Sequence, residues 1–130
     1  MSHPVIQHVS LEVAPEVGDV TVAFWALLGF DRVDPPVSLA DRAAFLQSGS
    51  AQIHLIWAGG DVAPARGHVA VVVEDYKGTV AALRAAGHEV DPRAEHWGSP
   101  RAYVRDPAGN LVELVDFAPP QPPPGESAGP

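Results

Sequence analysis

The chain repeats itself once. "QHVSLEVAP" (7–15) and "GHVAVVVED" (67–75) both place a histidine ahead of alternating apolar residues, so His8-Val9 matches His68-Val69 at an offset of 60. "LLGFDRVDP" (27–35) matches "RAAGHEVDP" (84–92) around Gly29 and Gly87. "RAAFLQSGSAQIHLI" (42–56) matches "RAYVRDPAGNLVELV" (101–115) at an offset of 59. Neither half is long enough to close a core alone, so two copies of one supersecondary unit must pack together.

The unit reads as strand, helix and three further strands. "PVIQHVSLEV" alternates like a strand, and "EVGDVTVAFWALLGF" follows with Val20, Phe24, Leu27 and Leu28 at helical spacing. Gly29 sits where a C-terminal cap is wanted. Short strands are predicted near 30–34, 43–47 and 51–58, and 59–66 reads as a linker. The second half predicts a strand at 68–74, a helix at 76–86 closed by Gly87, and a strand at 88–91. A hairpin follows, turning on "DPAGN". The fold class is therefore α+β, two βαβββ modules at 5–58 and 67–117 within one domain, 1–117. The last stretch, "APPQPPPGESAGP" (118–130), has few amide donors and little to bury, and is expected to be a disordered, Pro-rich tail.

Composition narrows the partners. A hydrophobic content of 46% supports one sizeable core. The net charge of −8, with no basic cluster, argues against a nucleic-acid partner. No apolar run approaches the roughly 20 residues of a membrane span. The start "MSHPVIQHVS" lacks the pattern of an export signal, which leaves a cytoplasmic location as the default. Without cysteine, any metal must be held by histidine and carboxylate.

Strand alternation supplies such a set. Val9, Leu11 and Val13 form one face of the first strand, with His8, Ser10 and Glu12 opposite. Val69, Val71 and Val73 oppose His68 and Ala70. Ile53, Leu55 and Trp57 oppose Gln52 and His54, and Val112 and Leu114 oppose Glu113. The faces turned from the helices thus carry His8, His54, His68 and Glu113, and the duplication pairs His8 with His68 and His54 with Glu113. A lone histidine at a strand start is more often a hydrogen-bonded core or edge residue. Four donors at four related positions argue for a metal, and three imidazoles with a carboxylate suit Zn, Fe(II), Ni, Co or Mn better than calcium. Counting back across the "DPAGN" turn pairs Tyr103 with Glu113 and Arg101 with Val115 on that face.

At "FWALLGF", "GHVAVVVED" and "DPAGNLVEL", in this order, the chain resembles the vicinal oxygen chelate superfamily, which includes glyoxalase I, extradiol dioxygenases and bleomycin- and fosfomycin-resistance proteins. The resemblance implies curled mixed sheets around a cleft and ligands drawn from these four strands. His8, His54, His68 and Glu113 are then the metal set, with the ion polarising two vicinal oxygens of a small substrate. Glu113 and Tyr103 become the catalytic candidates, and Arg101, Trp97, His96 and Ser10 the substrate-binding ones. A metal-dependent lyase or isomerase is the implied activity, and a homodimer the implied assembly. Glyoxalase I typically has a carboxylate where this chain has His54. The triad His8, His68 and Glu113 alone is similar to the two-histidine, one-carboxylate site of an extradiol Fe(II) dioxygenase. A dimer of the bleomycin-resistance kind would instead sequester a small molecule without catalysis.

Overall fold

The computed structural model describes residues 6–59 and 67–119. In the first module β1 (His8–Val13) leads to α1 (Gly18–Leu27), then β2 (Asp31–Val33), β3 (Ala43–Ser48) and β4 (Ala51–Trp57). The second runs β5 (Val69–Val72), α2 (Tyr76–Ala85), β6 (Val90–Arg93), β7 (Arg101–Arg105) and β8 (Leu111–Val115). Each module builds one four-stranded mixed sheet, ordered β1-β4-β3-β2 and β5-β8-β7-β6. The first strand of each module pairs parallel with its last, and the other pairings are antiparallel. The two modules share one hydrophobic core, to which both sheets and both helices contribute.

Local chemistry explains the element ends. Gly29 and Gly87 take φ of +99° and +92°, left-handed caps that stop α1 and α2 at matching places. The Asp75 side chain accepts from the Gly78 amide and starts α2. Pro92 falls on β6, an edge strand, where a missing amide breaks no interior ladder.

Several expectations need correcting. The face of α1 that enters the core is Thr21, Phe24, Trp25 and Leu28, whereas Val20 and Leu27 are exposed. Thr21 is tolerated there because its hydroxyl donates to the Val17 carbonyl. The sixth strand occupies 90–93, not 88–91: the chain leaves α2 through a Gly87 turn, and the half-buried His88 sets its ring edge-on to Phe24. The repeat is also not uniform through the second hairpin. Phe45 opposes His54 as Tyr103 opposes Glu113, so Tyr103 is the counterpart of Phe45, at an offset of 58. The longer "DPAGN" turn moves the offset to 59 on the following strand. Of the expected linker, 60–66 lie outside the described residues, as do 1–5 and 120–130 of the expected tail.

That longer turn also joins the modules. The Asp106 carboxylate, 3% exposed, accepts from the Trp25 indole N–H (3.2 Å) and the amides of Ala108 (3.1 Å) and Asn110 (2.8 Å). It also accepts from Asn110 Nδ2 at 3.1 Å, and the same Nδ2 donates to the Glu12 carbonyl at the end of β1.

Candidate functional site

Two clusters of polar side chains stand on the sheet faces turned away from the helices, one per module. On the second sheet, parallel pairing of β5 with β8 sets Ala70 beside Glu113, and His68 precedes Ala70 on the same face. His68 Nε2 lies 3.0 Å from Glu113 Oε1, and Arg101 Nε donates to Glu113 Oε2 at 3.3 Å. The carboxylate is only 7% exposed, so its charge needs both partners. Arg101 also donates to the Ala94 carbonyl and to the Tyr103 hydroxyl, which fixes its guanidinium in the cluster. The Tyr103 ring carries Arg93 at 4.8 Å and Arg101 at 5.3 Å, with His68 tilted against it at 5.4 Å. Arg93 is about half exposed and pairs with the exposed Asp91. In a chain of net charge −8, this face gathers arginines around one buried carboxylate.

On the first sheet, three rings stack in a column. The Phe45 ring centroid lies 3.6 Å from that of His54, the planes nearly parallel, and the His8 ring lies 4.0 Å from the other side of His54. Cross-strand register explains the first contact, and the diagonal step from β1 to β4 the second. His54 is 8% exposed, and burial first and the neighbouring His8 second hold its pKa below the usual histidine value. His54 Nε2 sits 2.8 Å from Gln52 Oε1, Gln52 donates to Gln47, and Gln47 donates to the Gly49 carbonyl. His8 is exposed and places Nδ1 2.7 Å from Gln7 Oε1. Ser10 is exposed on this face too.

The four donors expected to converge therefore stand as two pairs, His8 with His54 and His68 with Glu113. Among the described residues no group of three or more His, Cys, Asp or Glu side chains is close enough to hold an ion. A cleft of about 550 Å³ runs between the edge strands β1 and β5, with both His8 and His68 in its lining. Each pair belongs to its own sheet. Trp97 gives its indole N–H to the Phe117 carbonyl, and His96 is exposed in the same loop. Sequence reasoning did not single out Phe45, Gln47 or Arg93, and set Gln52 aside. Their signal was the alternation already used for the histidines, since Phe45 and Gln47 share the outward face of β3.

The family model described as Glyoxalase/Bleomycin resistance protein/Dioxygenase superfamily matches residues 8–114. Among solved structures, the chain is similar to a putative glyoxalase family protein from Bacillus anthracis, with 24% identity, TM-score 0.78, and 88% of this chain and 96% of that one covered. It is similar to lactoylglutathione lyase from Agrobacterium tumefaciens, with 21% identity, TM-score 0.67, and 88% and 95% covered. A third is TnmS3, an antibiotic binding protein from Streptomyces sp. CB03234, with 23% identity, TM-score 0.65, and 88% and 97% covered. No curated protein matches the chain. Among the described residues no helix is long and apolar enough to cross a membrane.

Proposed function

We propose that this chain, which belongs to the glyoxalase/bleomycin resistance protein/dioxygenase superfamily, acts as a metal-dependent homodimeric lyase or isomerase on a small, anionic, oxygen-bearing metabolite. The observation that carries the reading is the division of donors into two outward-facing pairs, each too small to hold an ion. Exposed apolar residues accompany them: Ile56 shares a face with His54, Val72 shares one with His68, and Ile6 precedes His8. A second copy packed across these faces buries that surface and sets His8 of one protomer against the His68–Glu113 pair of the other.

The donor set, two imidazoles and one carboxylate, fits a divalent ion of the zinc or iron(II) type. Bound there, such an ion supplies Lewis acidity to two adjacent substrate oxygens. The remaining work falls to side chains. Tyr103 donates from its hydroxyl to a substrate oxygen, with Arg101 keeping that hydroxyl in place. Arg93, half exposed over the same ring, meets the substrate's negative charge. Arg101 holds Glu113 Oε2 and His68 faces Oε1, so Glu113 takes and returns a proton at Oε1 once that oxygen is released from His68 and the ion. Ser10, His96 and Trp97 are the rim positions that contact the rest of the substrate.

Two variants test the assembly and the site together. His8→Ala and Glu113→Gln should each lose bound metal, and Glu113→Gln should lower turnover by roughly 10²–10⁴-fold. When the two variants are unfolded together and refolded as a mixture, random pairing restores about a quarter of the wild-type sites if each site spans two protomers. No recovery places the site within one chain. Wild-type protein free of metal, with ligand binding insensitive to EDTA, leaves instead a sequestering dimer. That second reading is favoured by the fact that His68, Glu113 and Arg101 already satisfy one another. Iron dependence with oxygen uptake would identify the same triad as a dioxygenase.

A further inference from the structure

The hydrogen-bond chain beside His54 can be read from its far end. The Gly49 carbonyl can only accept, so the Gln47 atom 2.9 Å from it must be the amide nitrogen. The other terminal atom of Gln47 is then its oxygen, and the Gln52 atom 3.0 Å from it must be nitrogen. That leaves the Gln52 oxygen 2.8 Å from His54 Nε2, and an oxygen acceptor requires a proton on that nitrogen. One backbone carbonyl thus fixes two amide orientations and one imidazole tautomer, three assignments that are ordinarily left open.

We infer that His54 is not a metal ligand but a positioning residue, held by its proton on Nε2, whose ring orients His8 for binding. The inference rests on the proposed metal site and specifies it: three protein groups hold the ion, which leaves more than one coordination position for substrate. Both faces of the His54 ring are taken, by Phe45 and by His8. Its Nε2–H is held by the Gln52 oxygen, so only Nδ1 keeps a lone pair, and because the His54 and His8 rings are stacked 4.0 Å apart no single ion can lie in the plane of both. His8 has the complementary character: it is exposed, stacked on one side, and bonded at Nδ1 to Gln7, so its Nε2 is the atom presented outward. A ligand whose ring is oriented by a second, non-binding residue is a common arrangement in metal sites. The relay explains why glutamines occupy positions 47 and 52, directly opposite each other on β3 and β4.

The test uses the full chain, ¹⁵N-labelled, first treated with chelator and then titrated with Zn²⁺. In the metal-free protein at pH 8, long-range ¹H–¹⁵N spectra should show His54 protonated at Nε2. A proton on Nδ1 instead would overturn the assignment whatever the metal does. On adding Zn²⁺, His8 should take the ligand signature while both His54 nitrogens stay as they were. A ligand shift on either His54 nitrogen would overturn the positioning role. His54→Phe keeps a flat ring between Phe45 and His8, and its Zn²⁺ affinity should stay within about threefold of wild type. His54→Ala removes the ring and should weaken binding by roughly 10-fold or more. Equal losses in the two variants would mean that a nitrogen, not a ring, had been removed. If wild-type protein binds no Zn²⁺, the metal reading of the site fails, while the tautomer spectrum still decides the state of His54.

Discussion

Asp106 is the group whose removal should be felt furthest from its position. It accepts four hydrogen bonds at 3% exposure: two from backbone amides that shape the "DPAGN" turn, one from Asn110 Nδ2 and one from the Trp25 indole. Asp106→Ala leaves the Trp25 N–H buried without a partner, which costs about 1–3 kcal/mol. It also removes two charge-assisted bonds from the turn amides, of which water can replace part, for about 1–2 kcal/mol more. The expected loss is about 3–4 kcal/mol, a large share of the roughly 5–15 kcal/mol that holds a domain of this size. Asp106→Asn should cost less, because Oδ1 keeps the turn amides while an amide NH₂ now faces two donors, the indole and Asn110 Nδ2. Trp25→Phe removes the first of these conflicts, so the double variant should recover about 1 kcal/mol relative to the sum of the single changes. Urea unfolding of wild type and the four variants, followed by far-ultraviolet circular dichroism and tryptophan fluorescence, checks this. Asp106→Ala unfolding within 0.5 kcal/mol of wild type at an unchanged slope would refute the claim that this carboxylate joins the modules. So would strictly additive Asn and Phe variants.

Two further outcomes are expected. His54 titrates below its ordinary value, burial being the main cause and His8 the second, so between that lowered value and about 6.5 the unfolded chain binds more protons than the folded one. Stability of the metal-free protein should therefore be full above about pH 6.5 and decline as pH falls towards the folded-state value. His54→Phe should lose that part of the decline, and melting curves of both proteins between about pH 5 and 8 measure the difference; parallel profiles would contradict it. Gly29→Ala and Gly87→Ala should each cost about 1–2 kcal/mol by chemical denaturation, because a Cβ at either site meets no atom within 4 Å and only the left-handed backbone resists it. Clearly unequal costs would show that the matching caps are not energetically equivalent.

The architecture was legible because duplication and strand alternation are both local signals. The histidine positions, glycine caps and hairpin registers around Tyr103 and Glu113 all follow from counting along the chain. The buried face of α1 did not, since helical spacing alone allows Val20 and Leu27 as readily as Thr21 and Trp25. Trp25 was drawn inward by a carboxylate 81 residues away, which no local pattern encodes. The same limit applied at the site. Alternation put four donors on the correct faces but carried no information on whether those faces meet in one chain. The role proposed for His54 depends on which atoms its neighbours turn towards it, and that follows from a glycine carbonyl in the β3–β4 turn.

The bond between Trp25 and Asp106 runs in one direction only. The helix position corresponding to Trp25 in the second module is Leu83, and the first module's turn at 49–50 contains only Gly and Ser. The halves share a plan but have become complementary parts, one supplying the donor and the other the acceptor. Two first modules would bring two indoles and no carboxylate to receive them, and two second modules the reverse. The repeat gives this chain a symmetric plan, and the Trp25–Asp106 bond makes its two halves non-exchangeable.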